Sequence, residues 1–183
     1  MLKKSIFIAL LSVATLFQAC SDKTEDANNI ISSNEFNLTS TDNKQLVVKK
    51  ELDGFVLENA KDKVIIFDIF ATWCPPCKAS ATHLTSLQKK FKDDLVIIGL
   101  TIEDGIPNSK LLEFKKEYNA QYTIVNSDQN SLLINEIATT LELGERFPIP
   151  IMALYKDGKF INHYIGEVQE EFVESDIKRA LGK

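Results

Sequence analysis

Two cysteines are spaced so that they could exchange disulfides with another protein. Cys74 and Cys77 are separated by two prolines and follow the apolar run KVIIFDIF. A C-x-x-C pair at the first turn of a helix can bond and separate with little backbone motion, and the helix N-terminus stabilises a thiolate at the first cysteine. We therefore expect Cys74 to attack, and Cys77, one turn further in and more buried, to resolve the mixed disulfide.

Two other uses of the cysteine pair are open from the spacing. A zinc site needs about four ligands, usually from a second cysteine pair or two histidines. His83 and His163 are far apart in sequence and not in ligand spacing, and we expect His83 on a helix surface. A plain structural disulfide is the other alternative. The sequence favours redox chemistry carried by the Cys74–Cys77 disulfide itself, with no metal and no other cofactor.

An aspartate interrupts the apolar run before the cysteines. Asp68 lies between Phe67 and Ile69, six residues before Cys74. An unpaired carboxylate in a buried strand is costly, so its pKa should rise and it should hold a proton near neutral pH. The alternative is a frayed, wet strand end, where Asp68 would be an ordinary surface group.

The third cysteine closes an apolar run near the start of the chain. This run follows Lys3 and Lys4, is too short to span a bilayer comfortably, and suits a signal peptide. Its ending, LFQAC, resembles the bacterial lipobox, in which a peptidase cuts before a cysteine that carries a diacylglycerol. We expect Cys20 to be that lipidated cysteine; a plain cleaved signal and an uncleaved anchor are the alternatives.

The sequence predicts three segments: a signal peptide, a tether and one folded domain. We expect a signal peptide over 1–19, a lipid-anchored flexible tether over 20–34 and the domain over 35–183. The 183 residues are 44% hydrophobic with a formal net charge of −5, as in an ordinary globular protein. The acidic balance argues against a nucleic-acid partner or a polybasic membrane surface. We expect an extracytoplasmic protein held at a bacterial membrane by its lipid.

Periodic segments predict alternating strands and helices. Strands are expected in a hairpin over 35–50 and over 63–70, 95–102, 121–125, 151–155 and 160–165, and helices over 75–91, 107–118, 131–143 and 168–181. The last two strands flank a tight turn in which Gly158 should have a positive φ. Because these two strands form a hairpin, the sheet of this α/β sandwich must be mixed.

The segment IIFDIFATWCPPCK resembles the active-site stretch of the thioredoxin superfamily. The Trp-Cys-Pro-Pro-Cys form, the preceding hairpin and the secretory start resemble the TlpA/ResA branch, from Phe36 to the C-terminus. The resemblance implies a mixed central sheet flanked by helices, an N-terminal hairpin, and an inserted strand and helix between the cysteine-bearing helix and a cis-proline strand. It also implies that Asp68 relays a proton to or from Cys77.

A second segment, FPIPIMALYKDG, resembles the stretch that carries a cis-proline opposite the active site. Pro150 aligns with that proline, which implies that Ile149 offers its backbone to a substrate chain as an added strand would. The alternative is a proline that starts an edge strand. We expect Trp73 to cover part of the site and to bind substrate together with Pro75 and Pro76.

The sequence thus predicts a disulfide reductase. The resemblance implies exported proteins with disulfides as substrates, apocytochrome c among them, and a membrane thiol transporter of the DsbD/CcdA type as electron donor. We expect a monomer. A net oxidant or isomerase is the first alternative, although Pro75-Pro76 lacks the histidine that strong oxidants commonly carry. A non-enzymatic copper-binding or holdase lipoprotein is the second, although copper chaperones of related fold use C-x-x-x-C.

Overall fold

A computed structural model describes residues 34–183 of the chain. The expected signal peptide, Cys20 and all but the last residue of the expected tether lie outside the described residues. The strands are β1 (Glu35–Thr39), β2 (Gln45–Lys50), β3 (Phe55–Leu57), β4 (Val64–Phe70), β5 (Leu95–Thr101), β6 (Thr123–Val125), β7 (Ile151–Lys156) and β8 (Lys159–Ile165). The helices are α1 (Pro75–Lys90), α2 (Asn108–Glu117), α3 (Asn130–Thr140) and α4 (Glu170–Ala180).

Five strands form the central sheet, in the order β6-β5-β4-β7-β8. β4 is parallel to β5 and antiparallel to β7, and β7 and β8 form a hairpin. All seven residues of β4 are buried, which explains the continuous apolar run: a strand covered on both faces has no solvent side on which to place polar residues. The predicted mixed α/β sheet is confirmed.

Alternate residues of β4 enter two separate cores. Ile66 and Phe70 pack in a cluster that includes Cys77 of α1 and Val173 of α4. Their neighbours on the opposite face pack in a second cluster with the N-terminal strands and α3. Because side chains alternate along a strand, Asp68 projects to the same face as Ile66 and Phe70, the face covered by the cysteine helix.

The predicted N-terminal hairpin is confirmed as β1 and β2. The prediction missed β3, which adds a third antiparallel strand next to β2. Phe55 of β3 packs edge-on against Phe67 and Tyr155, with ring centroids 5.9 and 5.2 Å away. Beyond β1 the chain continues onto the main sheet, where Ser40 forms an antiparallel bridge with Val125 of β6.

The expected insertion between the cysteine helix and the cis-proline strand is present as α2 and β6, in addition to α3. α3 ends at Thr140, three residues earlier than predicted, because Glu142 and Gly144 have positive φ values of 55° and 76° that a helix cannot continue through. Gly158 has the predicted positive φ, 74°. Within residues 34–183, no helix has the length and apolar character needed to cross a membrane.

Candidate active site

The two cysteines of the C-x-x-C segment are joined by a disulfide at the start of α1. Their Cα atoms are 5.3 Å apart. Cys74 is the N-cap residue, and its Sγ accepts a hydrogen bond from the backbone N–H of Cys77 at 3.3 Å. Each residue therefore lies where its spacing predicted, with Cys74 at the helix N-terminus and Cys77 in the first turn.

Exposure does not separate the two cysteines. Each has 2% of its surface exposed, so the expectation that Cys77 is more buried is wrong for this disulfide form. Both sulfur-bearing side chains are covered in the disulfide, and the accessible surface beside Cys74 comes from its neighbours. Trp73 is 62% exposed, and Pro75 is also exposed.

The two prolines limit the hydrogen bonds that the helix can offer to Cys74. Pro75 and Pro76 occupy the first two helical positions, and neither has a backbone N–H. An N-cap side chain accepts from the second or third helical N–H, so only the third position, Cys77, can donate here.

Lys78, the residue after Cys77, places its ammonium over the ring of Tyr118, 5.1 Å from the centroid.

The Ile149–Pro150 peptide bond is cis, as predicted. Pro150 is buried, and the carbonyl oxygen of Ile149 lies 3.9 Å from Cys74 Sγ. The residue before the proline therefore presents its backbone directly to the sulfur at the helix N-terminus.

A groove of about 550 Å³ begins beside Trp73 and Ile149. Its apolar lining includes Ile102, Phe147 and Pro148, and charged groups at its side come from Asp104, Glu145 and Arg146. The groove thus extends from Trp73, the residue before Cys74, along the segment that leads into the cis-proline.

Asp68 lies within β4, paired in register with Gly99 of β5 and Met152 of β7, and is almost fully buried. The alternative of a wet, frayed strand end is therefore excluded. Burial raises the pKa of Asp68 from 3.8 to about 7, opposed by a hydrogen bond from the Tyr122 hydroxyl to Oδ2 at 2.8 Å. Its Oδ1 has no partner among the described residues. The carboxyl therefore titrates near neutral pH, where it can hold a proton or release one.

Two residues at the site were not predicted. Tyr122 precedes β6 and reaches Asp68 from 54 positions away, and Glu103 follows β5 and binds both the N–H and the hydroxyl of Thr72. In the sequence, Glu103 directly follows the predicted strand over 95–102, and Tyr122 lies inside the predicted strand over 121–125, but neither position indicates a partner. Local periodicity does not report which side chains meet across such distances.

Neither histidine belongs to a candidate metal site within residues 34–183. His83 lies on α1 but is half-buried rather than on the surface, and its Nδ1 is enclosed with no partner within the described part. Among residues 34–183, no group of three or more His, Cys, Asp or Glu is arranged to hold a metal ion.

Comparison with known proteins places this site in a family. Residues 34–181 match the Redoxin family. The chain is 26% identical over 149 residues to the thiol-disulfide oxidoreductase ResA of Bacillus cereus, covering 75% of this chain and 81% of that protein.

Solved structures show the same fold. A thiol:disulfide interchange protein of the thioredoxin family from Chlorobium tepidum TLS superposes with a TM-score of 0.65 at 20% identity, covering 81% of this chain and 94% of that one. StoA from Bacillus subtilis superposes with a TM-score of 0.56 at 17% identity, covering 78% and 95%.

Fold and cysteine pair together define a thiol–disulfide oxidoreductase with a thioredoxin-like fold. The chain belongs to the Redoxin family, and its resemblance to the TlpA/ResA branch is confirmed.

Proposed function

We propose that this oxidoreductase reduces the disulfides of exported proteins. One observation carries the direction: Pro75 and Pro76 leave Cys74 Sγ with a single backbone donor, the N–H of Cys77 at 3.3 Å. The more the reduced form of a dithiol is stabilised, the stronger an oxidant its disulfide becomes. A thiolate with one donor and no histidine between the cysteines is weakly stabilised, which favours a reductant.

The proposed reaction uses three residues. The Cys74 thiolate attacks one sulfur of the substrate disulfide, forms a mixed disulfide and releases the first substrate thiolate. The Asp68 carboxylate takes the proton of the Cys77 thiol, and the resulting thiolate attacks Cys74 Sγ. The second substrate thiolate leaves with the electron pair of the broken bond. The substrate has then gained two electrons, and the protein is left with the Cys74–Cys77 disulfide.

We place the substrate chain along the cis-proline segment. The carbonyl of Ile149, 3.9 Å from Cys74 Sγ, is a hydrogen-bond acceptor for an extended peptide next to Pro150. Trp73 would cover the cysteine of that peptide, with Pro75 and Pro76 at the other side. Apocytochrome c is one exported substrate that the family resemblance implies.

The site of action and the partners complete the proposal. A lipid on Cys20 would hold the protein on the extracytoplasmic side of a bacterial membrane. A membrane thiol transporter of the DsbD/CcdA type would return electrons to the Cys74–Cys77 disulfide. The chain would act as a monomer, without a metal, an organic cofactor or a nucleic-acid partner.

The reduction potential tests the direction of electron flow. In a glutathione titration we expect a value nearer the roughly −270 mV of thioredoxin than the roughly −120 mV of the oxidant DsbA, and a value above about −150 mV would overturn the proposal.

Two matched variants test its physical cause. Pro76→Ala restores an N–H at the second helical position, where it can donate to Cys74 Sγ, and should raise the potential by about 30 mV, equivalent to one modest hydrogen bond. Pro75→Ala restores an N–H at the first position, which an N-cap side chain does not use, and should change the potential little. Equal effects of the two variants would contradict the explanation.

A further inference from the structure

We infer that Tyr122 is a positioning residue for Asp68: its hydroxyl holds Oδ2 as an acceptor and leaves Oδ1 as the oxygen that takes and returns the proton. The inference rests on the proposed exchange of a proton between Asp68 and Cys77. Its first support is the pairing itself, since one carboxyl oxygen accepts from Tyr122 at 2.8 Å and the other has no partner among residues 34–183.

The hydrogen bond from the Tyr122 hydroxyl determines which oxygen of the Asp68 carboxyl carries the acid proton. Tyr122 and Asp68 are both buried, and the hydroxyl of Tyr122 makes its hydrogen bond to Oδ2. The carbonyl oxygen of a protonated carboxyl is a better acceptor than its hydroxyl oxygen. The hydrogen bond from Tyr122 therefore favours Oδ2 as the carbonyl oxygen and leaves Oδ1 as the oxygen that carries the acid proton.

A glycine provides the space through which the Tyr122 ring reaches the carboxyl. Gly99 is the β5 residue paired in register with Asp68. A Cβ atom built on Gly99 would lie 3.2 Å from the Tyr122 ring, 3.2 Å from the Phe70 ring and 3.1 Å from Ile124. Even an alanine at this position would require these neighbours to move by a few tenths of an ångström, so the absence of a side chain at Gly99 allows the close packing of the Tyr122 ring.

The backbone around Tyr122 is tied to two helices. The Lys115 ammonium on α2 donates to the carbonyl of Tyr122 at 2.5 Å. The hydroxyl of Thr85 on α1 donates to the carbonyl of Asn119 at 2.7 Å and accepts from the N–H of Gln121 at 2.8 Å. Thr85 and Cys77 belong to the same helix, so Tyr122 is held in register with the helix that carries the resolving cysteine.

These contacts have a consequence for the resolving step. In that step the S–H bond of Cys77 breaks, an O–H bond forms at Oδ1 of Asp68, the Cys77–Cys74 bond forms, and the bond from Cys74 to the substrate breaks. The step needs an ionised carboxyl, and the hydrogen bond from Tyr122 lowers the pKa of Asp68 against the effect of burial. Without the hydroxyl, the ionised form should be reached only at higher pH.

The decisive variant is Tyr122→Phe in the full-length protein, which keeps the ring over Gly99 and removes only the hydroxyl. The titration of the Asp68 carboxyl is followed by carbon NMR, assigned with Asp68→Asn. We expect its midpoint to rise by about one pH unit, the size of one hydrogen bond to a charged group. Release of a trapped substrate from the mixed disulfide at pH 7 should slow several-fold, with its pH dependence displaced upward by the same amount.

Tyr155→Phe is the matched control. Tyr155 is also buried, but it belongs to the core on the other face of the sheet, and its hydroxyl has no partner in the described part of the chain. In Tyr155→Phe, the titration midpoint of Asp68 and the rate of substrate release should stay at their wild-type values. Lys115→Met is a second test that retains the hydroxyl and frees the carbonyl of Tyr122; it should move the Asp68 midpoint in the same direction, by less.

The outcomes separate this inference from the function on which it rests. If Asp68→Asn slows release but Tyr122→Phe leaves the Asp68 midpoint in place, the role of Tyr122 is overturned and that of Asp68 stands. If the midpoint rises in Tyr122→Phe while neither variant changes release, Tyr122 positions the carboxyl as inferred, and the proposed proton transfer by Asp68 is overturned.

Discussion

Glu103 binds Thr72 through both carboxylate oxygens. Oε2 accepts the backbone N–H of Thr72 at 2.6 Å, and Oε1 accepts its hydroxyl at 3.0 Å. Glu103 follows β5 and Thr72 lies between β4 and α1, so this pair joins the ends of two parallel strands two residues before Cys74. The carboxylate therefore fixes the segment that leads into the disulfide.

Removing this carboxylate should cost stability. Glu103→Ala should lower the free energy of unfolding by about 1.5–3 kcal/mol, the usual range for a hydrogen bond to a charged group, and Glu103→Gln, which keeps an acceptor, by less. Urea denaturation measures the change. Asp104→Ala is the control, since Asp104 is exposed and next in sequence, and it should be close to neutral. Equal stability of Glu103→Ala and Asp104→Ala would refute the role of the pair.

The reduced protein should react with alkylating reagents first at Cys74. Although both cysteines are equally buried in the disulfide, Cys74 caps the helix beside exposed Trp73 and Pro75, whereas Cys77 lies within the first turn. A thiolate at a helix N-terminus has the lower pKa and reacts faster. Limiting iodoacetamide at neutral pH, followed by peptide mass spectrometry, measures the two rates. Equal rates, or a faster Cys77, would show that the assignment of the nucleophile is wrong.

Asp68 should make stability fall as the pH rises. Burial raises its pKa from 3.8 to about 7, so between these values the folded state holds a proton that the unfolded state has lost. The penalty is absent below about pH 4, grows with pH, and is complete above about pH 7, where it is on the order of 4 kcal/mol. Asp68→Asn should flatten this dependence. The gain in the free energy of unfolding of the variant over the wild type should therefore be larger at pH 7.5 than at pH 4. Parallel urea-midpoint profiles for the two proteins would contradict this.

Trp73 should matter for protein substrates more than for the chemistry. Because it is largely exposed and lines the groove beside Ile149, Trp73→Ala should change the free energy of unfolding by less than about 0.5 kcal/mol. It should raise KM for a disulfide-containing protein while exchange with oxidised glutathione stays unchanged. Leu132→Ala is the control, an equally exposed apolar residue on α3 outside the groove lining. An effect of Trp73→Ala on both substrates alike would assign it to the redox step instead.

The lipid anchor makes a prediction about the full-length chain. Expressed in a bacterium, it should fractionate with membranes, and Cys20→Ala should either release it or leave it uncleaved, whereas Ser21→Ala should not. Edman sequencing and detergent partitioning measure this. A soluble extracytoplasmic wild type that begins at Ser21 or later would exclude a lipid on Cys20.

Local patterns predicted the parts of the site that depend on one segment of chain. A cysteine pair after an apolar run predicted the helix N-cap at Cys74, and the apolar neighbours of Asp68 predicted its burial and raised pKa. The position of Cys74 is determined by the start of a helix, and that of Asp68 by a strand buried on both faces. Both are local features of the sequence.

The unpredicted parts depend on chain segments that are distant in sequence. Tyr122 and Asp68 meet only because β4, β5 and β6 are consecutive in the sheet, and Glu103 meets Thr72 only because β4 and β5 are parallel neighbours. The three residues of β3 were too few for an alternating pattern and became a strand by pairing with β2. The equal burial of Cys74 and Cys77 also differed from the prediction, because exposure depends on packing by distant segments and not on the spacing of the two cysteines.

The bridge between Ser40 and Val125 has a consequence for colloidal behaviour. Thr41 donates its N–H to Ile124 at 2.9 Å and Asn126 donates to Thr39 at 2.8 Å, so the β6 edge of the central sheet is covered. Within residues 34–183 the other edge of that sheet is β8, which begins at Lys159 and pairs with β7 through an irregular register. Charged and irregular edges resist templated strand addition. Destabilising the N-terminal hairpin would uncover an edge without that protection, so a folding defect there would show itself as aggregation.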